Sequence, residues 1–249
     1  TPDLLPSDVV GTLVYNARTA EYSTRFGPIF CNVLLADEIN RAAPKVQSAL
    51  LEAMQEQQVT IGDKSYALPD PFLVLATENP IEHEGTYPLP EAQMDRFMLK
   101  VDIDYPSAQE ELQIMEYIAD EGAKPKLDPI VSIEEALRLR ETTKRIVLAE
   151  ALKDYIVRLV AATRNAGAAD ASLASLIRYG ASPRASINLA RASRAKALLA
   201  GRAYVIPEDI KAVALSILCH RILVTYEAEA EEVTTPQIVS RLLECVPVP

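Results

Sequence analysis

Two unbroken apolar runs, Asn32-Val33-Leu34-Leu35-Ala36 and Phe72-Leu73-Val74-Leu75-Ala76, flank a helical pattern. Short runs without polar alternation read as strands buried on both faces of a parallel sheet. Between them, Ala43-Pro44-Lys45 opens a helix with proline in the first turn, where its missing N–H is not needed. Val46, Leu50, Leu51 and Met54 then recur at three- and four-residue spacing. Strand, helix, strand is the expected unit. Residues 59–68 read as a short hairpin interrupting the crossover, because Gly62-Asp63 can supply the positive dihedral of a tight turn. A plain sheet extension with an inert turn fits residues 59–68 equally well. A third strand is predicted at 97–101, after Asp95-Arg96.

Beyond about Tyr105 the texture changes to Ala- and Leu-rich segments of helical period, placing a boundary near Pro106. Helices are predicted near 107–121, 133–144, 149–166, 183–200, 207–223 and 236–244, packed as a small bundle. Ser182-Pro183 supplies an N-cap and a first-turn proline, and Gly201 stands where a C-cap glycine belongs. The reading is an α/β domain over 1–105 and an all-α domain over 106–249, within the size range of two modest domains.

Acidic residues number 35 against 25 basic ones, a net charge of −10 that repels a nucleic-acid backbone. Nucleic-acid binding is disfavoured. Cys31, Cys219 and Cys245 are odd in number and widely spaced, which fits neither a disulfide framework nor a metal site and points to a reducing cytoplasm. His83 and His220 lack a ligand cluster around them. No apolar run reaches membrane-span length, and the amino terminus has no export signal.

The chemistry is carried by an acid pair. Val33-Leu34-Leu35-Ala36 lifts Asp37 and Glu38 to the carboxyl edge of the sheet, where open α/β folds bind ligands. Hydrolysis of a nucleoside triphosphate needs such a pair, one carboxylate for Mg²⁺ and a neighbour to polarise water. Taken alone the pair is a weak signal, and a cap on the next turn is the favoured reading.

The remaining blocks decide between these. Residues 34–42 (Leu-Leu-Ala-Asp-Glu-Ile-Asn-Arg-Ala), 47–56 (Gln-Ser-Ala-Leu-Leu-Glu-Ala-Met-Gln-Glu), 76–80 (Ala-Thr-Glu-Asn-Pro), 84–97 (Glu-Gly-Thr-Tyr-Pro-Leu-Pro-Glu-Ala-Gln-Met-Asp-Arg-Phe) and 180–186 (Gly-Ala-Ser-Pro-Arg-Ala-Ser) resemble successive blocks of MoxR-type AAA+ ATPases. The resemblance implies a partial AAA+ parallel sheet with flanking helices and a β-hairpin insertion, followed by a helical lid. It implies ATP and Mg²⁺ as ligands, with Asp37 as the Walker B metal carboxylate and Glu38 as the catalytic base. Asn79 matches sensor 1, Arg96 the arginine finger that reaches a neighbouring subunit's nucleotide, and Arg184 sensor 2, acting in cis or in trans. Hairpin 59–68 matches the insertion before sensor 1, and residues 13–30 fall where this branch inserts into helix 2.

The resemblance further implies a homo-oligomeric ring, a hexamer in the parent protein, that remodels or matures partner proteins together with a von Willebrand factor A domain protein. No membrane role is implied. An AAA+ nucleic-acid motor and a non-catalytic scaffold are the alternative functions. The family's phosphate-binding loop, G-x-x-x-x-G-K followed by Ser or Thr, occurs nowhere among the eight glycines. The sequence is therefore read as an amino-terminally truncated module, inactive alone, whose remaining strands must expose an edge, rearrange or pair with another chain.

Overall fold

The computed structural model describes residues 3–79, 85–119 and 127–249. His83 and the start of the block at 84–97 lie outside them. The chain forms two compact units, residues 1–97 and 98–249.

The first unit begins with a short helix α1 (Pro6–Val10) and an antiparallel hairpin, β1 (Gly11–Asn16) and β2 (Glu21–Phe26). Next comes β3 (Val33–Ala36), then α2 (Pro44–Glu56), with Pro44 in its first turn and Val46, Leu50 and Leu51 buried. A second antiparallel hairpin, β4 (Gln58–Ile61) and β5 (Lys64–Ala67), turns at Gly62, whose φ of +61° is one that L side chains rarely adopt. The chain returns as β6 (Leu73–Ala76), parallel to β3 in the register Val33 to Leu73 through Ala36 to Ala76, and ends in the short α3 (Glu91–Met94). The strand-helix-strand unit and the hairpin within its crossover are thus present. The core gathers Ile29, Ile39, Leu50, Leu51, Val59 and Val74. Full burial of one such side chain contributes roughly 1.5–3 kcal/mol.

Two expectations do not hold in the folded chain. The paired strands are not buried on both faces: Val74 is buried, but Val33, Leu35, Leu73 and Leu75 are 50–61% exposed. Alternation along β3 and β6 puts these four residues on one face, which no described element covers. Nor do residues 97–101 form a strand. The Lys100 N–H donates to Ser216 O within the second unit, so that backbone pairs with the end of a helix and not with a sheet.

The second unit carries α4 (Ala108–Ala119), α5 (Ile133–Arg145), α6 (Glu150–Arg164), α7 (Ala166–Ala169), β7 (Ile177–Tyr179), α8 (Pro183–Leu199), α9 (Pro207–Leu218), β8 (Leu223–Val224), α10 (Tyr226–Ala230) and α11 (Thr235–Cys245). The helix predicted to run to 223 stops at Leu218, because a 3-10 turn over Cys219–Arg221 redirects the chain into β8, which pairs with β7. Tyr155, Leu159, Leu189, Ile217, Ile238 and Leu242 are fully buried between α6, α8, α9 and α11. By contrast α4 buries none of its residues. Ser182 caps α8 by accepting from Arg184 N–H, and Gly201 follows that helix at φ +71°.

Candidate functional site

Both parallel strands end at the same edge, so the residues that follow them meet there. Asp37 and Glu38 leave β3; Thr77, Glu78 and Asn79 leave β6. The Thr77 hydroxyl donates to Asp37 Oδ1 at 2.6 Å, and the Glu38 N–H donates to Thr77 Oγ1 at 2.8 Å. Glu38 takes the left-handed conformation, φ 50° and ψ 52°, which turns the chain into a 3-10 turn over Ile39–Arg41. Its carboxylate lies 3.1 Å from Arg41 Nε, a partly exposed pair. The Asn40 side-chain amide reaches the Asn79 carbonyl at 3.4 Å, and the Tyr87 N–H donates to Asn40 O at 2.6 Å.

Gln47 closes this arrangement from below. It is 1% exposed, and its Nε2 donates to both Ile39 O and Tyr87 O. A buried amide spanning two loops fixes both, because stranding either carbonyl costs its full desolvation. The sequence reading missed Gln47 and Thr77 as parts of this site. Gln47 stands on the buried stripe of α2 beside Val46 and Leu50, and a polar residue on such a stripe is the signal that could have found it.

Asp37, Glu38 and Asn79 therefore lie at one strand edge of the first unit. Asp37 is exposed, and its Oδ2 has no hydrogen-bond partner among the described residues. Asn40 Oδ1 is buried and also lacks one. A free carboxylate oxygen suits a hard cation such as Mg²⁺, which takes one or two carboxylates and completes its octahedron with water and phosphate oxygens. Among the described residues no group of three or more His, Cys, Asp or Glu is placed to hold a metal ion. Arg96 is exposed in the turn after α3, with no carboxylate partner among the described residues. Arg184 is exposed in the first turn of α8, in the second unit. The three cysteines are free thiols. Among the described residues no helix is long and apolar enough to cross a membrane.

The architecture and this strand edge define a class, the AAA ATPases. Residues 1–99 match the model of the ATPase family associated with various cellular activities, and residues 170–242 match that of the AAA lid domain. The chain is 47% identical to Chaperone MoxR1 of Mycobacterium tuberculosis, with all of this chain and 66% of that protein aligned. It is 32% identical to Protein MoxR of Paracoccus denitrificans, again over its whole length and 78% of the relative. A crystal structure described as that of a candidate ATPase from Cytophaga hutchinsonii superposes with a TM-score of 0.93 at 50% identity, covering all of this chain and 76% of the other. The chain belongs to the MoxR family of AAA+ ATPases. It spans about two thirds of the length of its MoxR1 relative.

Proposed function

We propose that this chain is the larger part of a ring-forming ATPase that spends ATP hydrolysis on remodelling or maturing partner proteins in the cytoplasm. The observation that carries the reading is the joint placement of an acid pair and an amide at the shared end of two parallel strands. Magnesium, when bound, would neutralise phosphate charge and order the attacking water. Asp37 would hold that ion, and Glu38 accepts the proton of the attacking water. Asn79 donates to the terminal phosphate without adding negative charge. Arg96, exposed and without a carboxylate partner among the described residues, is available to a neighbouring subunit's nucleotide, where a guanidinium offsets developing phosphoryl charge. Arg184 sits at a helix N-terminus, a position that favours anions.

The chaperone-like role is supported by the relative named a chaperone. On this reading the assembly is a homo-oligomeric ring, a hexamer, that works with a von Willebrand factor A domain protein. Residues 1–249 hold no G-x-x-x-x-G-K run, so they are inactive alone and need a phosphate-binding segment. Phosphate release by the chain joined to such a segment, at the length of its relatives, tests the proposal. Turnover is expected to require Mg²⁺ and to fall by about 100-fold or more in Asn79→Ala and Arg96→Ala, the scale of losing one charge-stabilising contact in the transition state. Mg²⁺-independent turnover, unaltered in both variants, would overturn it.

A further inference from the structure

Thr77 is the first residue beyond β6, and it grips the acid-bearing turn at four points. Its N–H donates to Ala36 O at 3.1 Å and its carbonyl accepts from the Ile39 N–H at 2.9 Å. Any residue could make those two backbone bonds. Its hydroxyl makes the other two, donating to Asp37 Oδ1 and accepting from the Glu38 N–H. The direction is fixed by chemistry, since an ionised carboxylate only accepts and an amide N–H only donates.

The two hydroxyl bonds hold the Asp37 carboxylate and the Glu38 amide directly, where the backbone bonds reach only Ala36 and Ile39. The Asp37 side chain is exposed, and Thr77 is its one hydrogen-bond partner among the described residues. Glu38 is held left-handed although it carries a side chain, a conformation that persists only where surroundings over-determine it. Asn79 follows Thr77 by two residues and its carbonyl is reached by the Asn40 amide. The end of β6 thus ties both acids and the amide into one frame.

We infer that Thr77 is a positioning residue for hydrolysis, its hydroxyl orienting the Asp37 carboxylate that would hold the metal, and fixing the backbone turn that carries Glu38. This rests on the hydrolytic reading above. Thr77 does not touch the reacting atoms; it acts through Asp37 and Glu38.

The test compares Thr77→Val, which keeps the shape and the backbone bonds, with Thr77→Ser, which keeps the hydroxyl. In the chain as it stands, amide exchange followed by NMR should show the Glu38 N–H exchanging at least about tenfold faster in the valine variant, the scale of losing one hydrogen bond. The Ile39 N–H should hold, and serine should restore the Glu38 rate. In the chain joined to a phosphate-binding segment, kcat should fall about tenfold or more in Thr77→Val with KM for ATP within about twofold, and recover in Thr77→Ser. If Thr77→Val does not fold, Thr77→Ala replaces it in both comparisons. Wild-type kcat in the hydroxyl-less variant, alongside an inactive Glu38→Gln control, overturns the inference and leaves the hydrolytic reading standing. Serine as impaired as valine also overturns it, since only the methyl would then matter. A fully active Glu38→Gln control removes the hydrolytic reading and this inference with it.

Discussion

Leu13 on the first hairpin lies against Gly62 in the turn of the second, so closely that a methyl group built on Gly62 would stand 2.5 Å from Leu13 Cδ1. Two further contacts join the hairpins: Thr24 Oγ1 and Tyr66 Oη are 2.9 Å apart, and the Phe26 and Tyr66 rings meet edge to face at 5.0 Å between centroids. The hairpins form a single pad as a result. Gly62→Ala puts a side chain at positive φ and makes the Leu13 side chain shift, and should lower stability by about 1–2 kcal/mol, chiefly through the backbone. Urea unfolding checks the loss, and Leu13→Ala in the same chain should recover part of it as a non-additive term. Equal midpoints for Gly62→Ala and the unsubstituted chain would contradict the positive-φ turn at Gly62.

The uncovered face of β3 and β6 presents Val33, Leu35, Leu73 and Leu75 together. Contiguous apolar surface of this kind drives association. Size-exclusion with light scattering is expected to show this chain larger than a monomer, and Leu35→Gln with Leu75→Gln should shift it towards one. A monomeric unsubstituted chain would mean that the face is covered in solution.

The sequence made the β3-α2-β6 unit legible because its period, its punctuation and its first-turn proline agree, and Gly62 marked the second hairpin for the same reason. The first hairpin was placed only as an insertion, since Gly11 to Phe26 mixes aromatic and polar residues without a clean alternation. Residues 97–101 look like a strand by composition, but strand character is a property of the pair, and the Lys100 amide is spent on Ser216. At the candidate site, Asp37, Glu38 and Asn79 were visible as residue types at the ends of apolar runs. The hydroxyl of Thr77 and the amide of Gln47 were not, because their partners are distant in sequence and only the folded register brings them together.

Asp209 in the first turn of α9 binds Arg202 through both carboxylate oxygens, at 2.7 and 2.6 Å, and accepts from the Ile206 N–H at 2.9 Å. The Arg202 hydrogen bonds, outweighing the opposing effect of burial, hold its carboxyl below the ordinary value of 3.8. The folded chain therefore favours the ionised form: the contribution is whole above the unfolded value and is lost as pH falls through the lower folded one. Asp209→Asn should cost about 2 kcal/mol near neutrality. Thermal midpoints from about pH 5 down to pH 2 should converge between the two chains. A gap that stays constant over that range would contradict the ion-pair account.

ATP with Mg²⁺ is expected to bind residues 1–249 weakly or undetectably in isothermal titration, because the hydrogen bonds of a phosphate cradle are absent from this sequence. Micromolar affinity would show that the phosphates are held by residues assigned no part in binding here.

In the proposed function, Glu38 activates the water that attacks the terminal phosphate. Single-turnover hydrolysis of bound ATP by Glu38→Gln, in the chain joined to a phosphate-binding segment, tests it most directly. The expected result is nucleotide retained at near-normal affinity and hydrolysed at least about 100-fold more slowly, consistent with removal of a general base; hydrolysis at the unsubstituted rate would contradict the account.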